Sequence, residues 1–333
     1  MRIGFIGGFG HHYLRGAIAD PACAIDRAVA FAPSAPNDDR AAAVAKQVGA
    51  GGGDVTFFDD ATAMLETFKP DVVSVGAIYG LYGDHIAAAL ERGVPVVSDK
   101  PIAATWDQLG RLRGIVASRQ QSLLLTEFDF RARPSFRAAR QAVREGRIGP
   151  PALATGQKSY RFASRPDWYG DRAQYGGTML WVASHAIDAI RFVTERKALS
   201  VVGRNGNVSR TEFGSMEEYV TATMGLEGGG TGIVHADYYR PDKTPTHGDD
   251  RLRVAGPKGV VEVRGGRCLL LGEDGAEVDI TESVATRPMH IELLAALRGE
   301  TTDLFSTAAS LEIAALLLHA RDAADTQKWV KCG

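Results

Sequence analysis

Short apolar runs alternate with helical patterns over the first 126 residues. RIGFIG is followed by a helical segment from about His11, RAVAFA by an Ala-rich stretch at 38–48, and VTFF by 60–67. DVVSVG precedes 83–92, VPVVS precedes 105–118, and SLLLT closes the series. Apolar runs of this length between helices predict a parallel sheet covered on both faces, since an uncovered face would alternate with polar residues. That is a doubly wound α/β domain, a Rossmann fold whose ligands lie beyond the carboxyl ends of the strands.

After residue 126 the pattern changes. A helix is predicted over 134–145, with glycine as its stop in EGRIG, and a glycine-led helix over 177–193. Around them lie β-rich runs at 152–162, 198–209, 217–226, 230–239, 251–256, 259–264 and 267–271. Helices at about 288–298 and 307–324 finish the chain, and GAGGG at 49–53 reads as a loop. The expected architecture is a Rossmann domain over 1–126 and an α+β domain over 127–333. The second carries a large, mostly antiparallel open sheet, and the active site is expected in the cleft between the two.

Composition narrows the function classes. The 333 residues are 45% hydrophobic and 23% charged, and 38 basic against 40 acidic side chains leave a net charge of −2. Such a balance offers no electrostatic case for nucleic acid or an anionic membrane as partner. No apolar run is long enough for a membrane span, and the strand-like MRIGFIGG lacks the features of a secretory signal. A cytoplasmic protein is therefore expected, with Cys23, Cys268 and Cys332 as reduced thiols.

GFIGGFGHHYLRG stands between the first strand and the first helix, where a dinucleotide fingerprint belongs. Gly7 fits the first glycine position, Phe9 falls on the second and His12 on the third, with Gly8 and Gly10 offset. The acid expected after strand two, which would hold an adenosine ribose, is missing. Ser34 stands near that point, Asp38 and Asp39 read as the start of a helix, and Arg40 would tolerate a 2′-phosphate, so NAD and NADP stay open. Lys100 follows the fifth strand on the ligand-binding edge, and Pro101 restricts its backbone to an extended form.

SDKP, with Asp99 in place of a glutamate, resembles the Glu-Lys-Pro motif of the Gfo/Idh/MocA family of oxidoreductases. DVVSVGAIYGLYGDHIAAALERGVPVV resembles that family's fourth strand, nucleotide-contacting loop (Ala77, Ile78, Tyr79) and following helix with a histidine (His85). FRARPSFRAARQAVREGRIGPP resembles its entry to the second domain, and GGTMLWVASHAID its catalytic helix. The resemblance spans nearly the whole chain. It implies NAD or NADP held by Gly7, Gly8, Phe9, Gly10, His11, His12, Ser34, Arg40, Ala77, Ile78, Tyr79, His85, Asp99 and Lys100. It further implies oxidation or reduction of a hydroxyl or carbonyl on a carbohydrate-like small molecule, with Lys100 and His185 catalytic. At the family's helix aspartate this chain has Trp181, whose indole offers a sugar ring an apolar face and one N–H donor. A homodimer or homotetramer is implied as well.

An imidazole suits the proton transfer of alcohol oxidation, and a lysine ammonium favours the developing alkoxide. Arg131, Tyr160, Trp168, His247 and Asp249 are further substrate-binding candidates. Trp168 has an interdomain-core alternative, and His247 and Asp249 that of a solvated hairpin loop with Asp250 and Arg251 ion-paired. Asp188, three residues after His185, reads as structural. His185, His247 and Asp249 have no metal-ligand spacing, so no metal is expected. The departures at the glycine turn, the ribose acid and Trp181 leave two alternatives. One is a catalytically silent dinucleotide or sugar sensor; the other is a redox-neutral sugar-modifying enzyme with tightly held cofactor.

Overall fold

A computed structural model describes residues 1–119, 122–300 and 302–332. Two compact units divide them: Met1–Phe128 with Arg287–Ala314, and Asp129–Thr286 with Ala315–Gly333. In the first, strands β1 (Ile3–Ile6), β2 (Ala28–Ala32), β3 (Asp54–Phe57), β4 (Val72–Val75), β5 (Val96–Asp99) and β6 (Leu124–Glu127) alternate with helices. These are α1 (Arg15–Ala19), α2 (Ala41–Ala50), α3 (Ala61–Thr67), α4 (Tyr82–Glu91) and α5 (Trp106–Ser118). The strands pair in parallel in the order β3-β2-β1-β4-β5-β6. Strands β1, β4, β5 and β6 are buried at every residue, which is why each reads as a continuous apolar run. The order reverses between β1 and β4, so the turn after β1 and the loop after β4 flank the switch point where such sheets bind ligands.

The second unit contains helices α6 (Pro134–Arg144), α7 (Arg172–Tyr175), α8 (Thr178–Trp181) and α9 (Ala183–Thr194). Its strands are β7 (Leu153–Arg161), β8 (Ala198–Gly206), β9 (Tyr219–Leu226), β10 (Thr231–Arg240), β11 (Gly248–Gly256), β12 (Gly259–Arg264), β13 (Arg267–Leu271), β14 (Glu277–Asp279) and β15 (Val330–Lys331). They form one sheet, antiparallel except for the parallel pair of β7 and β10. Helix α9 lies on β7, β10 and β11. It approaches so closely that a Cβ at Gly156 would meet the Ala186 carbonyl oxygen at 2.9 Å. Along β7 the alternate residues Ala154, Gly156, Lys158 and Tyr160 face this helix and are buried.

Helix α10 (Met289–Leu297) and the start of α11 (Thr307–Thr326) belong to the first unit, whereas a boundary at 126/127 assigns them to the second domain. The reason lies at the edge of the parallel sheet. β6 has no outer neighbour, and its Leu124 and Thr126 amides donate to Thr307 Oγ1 (3.1 Å) and Ser310 Oγ (3.0 Å) instead. An edge amide without an acceptor costs free energy on burial, so hydroxyls on a returning helix serve in place of a strand.

Three smaller expectations also shift. Helix α1 starts at Arg15 rather than near His11, because the His11 and Tyr13 amides donate to the side chains of Asp99 and Glu127. Helix α2 runs through Ala50, so the glycine loop begins only at Gly51. The 177–193 helix breaks into α8 and α9 at Val182. No helix among the described residues is long and apolar enough to cross a membrane.

Candidate active site

In the first unit the glycine turn lies flush on its neighbours. Gly7 has φ +86°, and a Cβ there would lie 2.6 Å from Ala77 Cα. A Cβ at Gly8 would meet the start of α2 at 2.5 Å, and one at Gly10 the Tyr82 hydroxyl at 2.1 Å. Glycine is required at all three by backbone approach, whatever ligand follows. The turn's amides are occupied within the protein: Gly7 donates to Ala32 O, Phe9 and Gly10 to Gly76 O, and His11 to Asp99.

Gly8 donates to Asp38, and this is the residue that sequence reasoning missed. Asp38 is no helix starter. Its Oδ2 accepts from the Gly8 amide (3.1 Å), the Ser34 amide (3.0 Å) and the Ser34 hydroxyl (2.7 Å). Its other oxygen, Oδ1, is buried with no hydrogen-bond partner among the described residues. A carboxylate thus follows β2 after all, six residues later than the strand end, because the 33–40 loop folds back onto the turn. Ser34 ties in the rest: its hydroxyl accepts from Ile78 N at 3.1 Å, and its carbonyl lies 2.8 Å from His85 Nε2. Ala77 and Tyr79 are buried beside Ile78, and the exposed Arg40 stacks over the Phe9 ring at 5.0 Å.

His12, expected at the cofactor, is buried and braces the turn. Its Nε2 lies 2.8 Å from Gly7 O and its Nδ1 2.8 Å from Ser74 Oγ. Burial brings its pKa down to about 4. The unfolded chain gains a proton as pH falls through 6.5, while the folded chain resists until about 4. This one group should therefore remove about 3 kcal/mol of stability over that window. Urea unfolding at several pH values measures the slope, and His12→Asn should flatten it relative to the native sequence.

At the end of β5, Lys100 and Asp99 are each 1% exposed, with Lys100 Nζ 3.6 Å from Asp99 Oδ1. The Lys100–Pro101 peptide is cis. Burial alone would raise the Asp99 carboxyl, but the Lys100 charge and the His11 contacts overcome it and hold the group well below the usual carboxylate range. Asp99 accepts from His11 N, Lys100 N and the His11 ring, each at 2.8 Å. Asp99 thereby fixes the turn and the lysine. Glu127, buried at the end of neighbouring β6, accepts from Tyr13 N at 3.2 Å and does the same from the other side.

In the second unit, β7, α9 and the connection before β11 bring three of the candidates together. The Tyr160 hydroxyl lies 3.2 Å from His185 Nε2, and the His247 ring meets Tyr160 at a tilt with centroids 4.7 Å apart. Tyr160 and His185 are buried, His247 is exposed, and Phe130 meets the His185 ring edge-on. Trp181, one helical turn before His185, is 5% exposed. Trp168 is buried against Tyr169, 4.6 Å between rings.

Two candidates do not join them. The Arg131 guanidinium makes a bidentate pair with Asp188, at 2.7 and 2.6 Å, with both side chains nearly inaccessible. Its donors are committed to the core of the unit, and Asp188 is the structural group expected. Asp249 pairs in register with Ser159, on the sheet face opposite Tyr160, and binds Arg251 and Gln157. Strand β11 begins at Gly248 rather than 251, so strand alternation sends Asp249 and Asp250 to opposite faces. Asp250 bonds Lys158 (2.6 Å) and Arg133 (2.9 Å), and Arg251 pairs with Asp249 rather than Asp250.

A Rossmann sheet in strand order 3-2-1-4-5-6, a buried lysine at the end of its fifth strand and a mixed sheet bearing a Tyr–His couple together define a dinucleotide-dependent oxidoreductase architecture. Comparison with known proteins makes the class specific. Residues 1–126 match the model of an oxidoreductase family with an NAD-binding Rossmann fold, and residues 136–262 match the GFO/IDH/MocA C-terminal domain. The chain belongs to the Gfo/Idh/MocA family. A solved structure from Thermotoga maritima, described only as an oxidoreductase, superposes with a TM-score of 0.92 at 32% identity, covering 99% of this chain and 100% of that one. Among curated relatives, D-glucoside 3-dehydrogenase of Escherichia coli is 28% identical over 53% of this chain and 51% of its own length. The chain spans about half the length of the curated relatives it matches. Levoglucosan dehydrogenase, solved with NADH and L-sorbose, shares the fold at a TM-score of 0.82 and 16% identity, over 100% of this chain and 99% of that one.

Proposed function

We propose that the chain is an NAD-dependent oxidoreductase acting on a hydroxyl or carbonyl of a sugar or polyol. The observation that carries this reading is the buried Lys100 held beside Asp99 at the carboxyl end of β5. NAD, when bound, supplies the site of hydride exchange. The Lys100 ammonium donates to the reacting oxygen and favours the alkoxide, with Asp99 holding the amine in place. The His185 imidazole takes the hydroxyl proton, and the Tyr160 hydroxyl, 3.2 Å from its Nε2, orients the ring. Trp181, Trp168 and His247 offer flat rings on which the apolar face of a sugar can lie.

The unpartnered Asp38 oxygen supports NAD over NADP. It is an acceptor awaiting a donor, as an adenosine ribose hydroxyl is, whereas a 2′-phosphate would meet a buried like charge. NAD should bind at least about tenfold more tightly than NADP. Asp38→Asn, which preserves an oxygen for Gly8 and Ser34, should narrow that gap in a fluorescence titration; an unchanged preference would assign discrimination elsewhere.

The outer sheet face, with exposed Leu153 and Ile233, supports assembly as a homodimer or homotetramer. The activity itself is tested by incubating the protein with NAD and a panel of sugars and polyols while following reduced nicotinamide absorbance. Turnover on at least one is the expected result. Tight NAD binding with no conversion of any substrate, checked by product analysis for redox-neutral chemistry, would leave a sensor instead.

A further inference from the structure

Asp20, Cys23 and His290 place a carboxylate oxygen, a thiol sulfur and an imidazole nitrogen within 4.8 Å of one another. Nothing in the proposed chemistry uses them. A tight 3₁₀ turn, Pro21–Cys23, sets the first two: Asp20 Oδ1 accepts from Ala22 N at 3.0 Å, and Cys23 N donates to Asp20 O at 3.0 Å. Residues three apart in such a turn share one side. His290 Nε2 lies 3.2 Å from Asp20 Oδ2, although the two are 270 residues apart in the chain. Gly16 makes room for the ring, since a Cβ there would come within 2.7 Å of His290 Nδ1. Cys23 is 2% exposed, while the Asp20 and His290 side chains are 33% and 19% exposed, so the thiol forms the floor of a small open mouth.

We propose that Asp20, Cys23 and His290 form a zinc site that pins helix α10 to α1. One sulfur, one imidazole nitrogen and one carboxylate oxygen are the donors Zn²⁺ takes, with water completing a tetrahedron. Calcium and magnesium call for oxygen ligands throughout and fit the set poorly. A bound dication displaces the thiol proton, so the sulfur ligates as thiolate. Arg298, which faces Cys23, donates to its main-chain oxygen at 2.7 Å and leaves the sulfur to the metal. The cluster precedes β2 in the chain, at the amino edge of the parallel sheet, away from the glycine turn that follows β1. Its role is to hold the returning segment against the Rossmann unit, where closing a long loop stabilises the fold.

The test uses the full chain, stripped of metal with a chelator. Native mass spectrometry should show one Zn²⁺ per chain. At a hundredfold excess over Kd the thermal midpoint should rise by roughly 4 °C. Co²⁺ in its place should produce a thiolate-to-metal charge-transfer absorption. Cys23→Ser and His290→Gln should each weaken binding by about tenfold or more and Cys23→Ser should abolish that absorption, whereas Cys268→Ser and Cys332→Ser should leave both intact. Circular dichroism checks folding, and the half-exposed Asp20→Asn should weaken binding likewise should the buried serine variant unfold. Absence of stoichiometric binding, or binding that survives Cys23→Ser or is lost with Cys268 or Cys332, would overturn the assignment. None of these outcomes depends on whether sugars are turned over.

Discussion

Lys100→Met should lower kcat on a sugar or polyol substrate by about a thousandfold or more, because in the proposed mechanism it removes the charge that favours the alkoxide. The dissociation constant for NAD should stay within a few fold, since the Gly7–Gly10 turn, Asp38 and Ser34 do not rely on the amine. The variant should also fold. Asp99 loses the cation 3.6 Å away but retains His11 N, Lys100 N and the His11 ring, all at 2.8 Å. Its carboxyl pKa should move upward, and thermal unfolding shows whether the loss is tolerated. Lys100→Arg separates charge from shape: the planar fork keeps the charge but does not fit an amine's fully buried place, so activity should remain low. The same measurement in His185→Asn tests the proposed proton acceptor. A Lys100→Met enzyme within tenfold of the native rate would end the mechanism.

Asp188→Ala should destabilise the protein by about 3–5 kcal/mol, the largest effect on stability expected from any single ion pair here. Removing the carboxylate takes the bidentate pair away from the Arg131 guanidinium, 5% exposed and beside Phe192. Arg131→Met should cost a similar amount for the mirror reason. Replacing both by apolar residues of like size should cost much less than the sum, because no buried charge is then left alone. The exposed pair of Arg92 and Glu66 at 2.9 Å provides the contrast: Glu66→Gln should change stability by about 0–1 kcal/mol. Urea unfolding measures each. An Arg131→Met protein of native stability but a sharply raised KM would return that residue to the substrate pocket.

Periodicity alone made most of the fold legible. Parallel strands buried on both faces must read as unbroken apolar runs, and β1, β4, β5 and β6 do so. Open-faced strands must alternate, as β7 and β9 do. Strands β14 and β15, three and two residues long, are too short to carry a period, and neither was legible. Lys100 before its proline and His185 on a glycine-led helix were singled out from the sequence, and both side chains prove to be buried.

By itself, the sequence determined the two fold classes and the family. These are local or nearly periodic properties, so neighbours in the chain suffice to reveal them. Only the tertiary structure decided that Asp38 folds back to Gly8, that Arg131 is claimed by Asp188, and that Asp249 faces away from Tyr160. Only it joined 287–314 to the first unit and set His290 beside Asp20. A side chain's partner depends on which long-range contact satisfies its charge or its hydrogen bonds once water is gone. That competition among distant groups leaves no spacing in the chain to read.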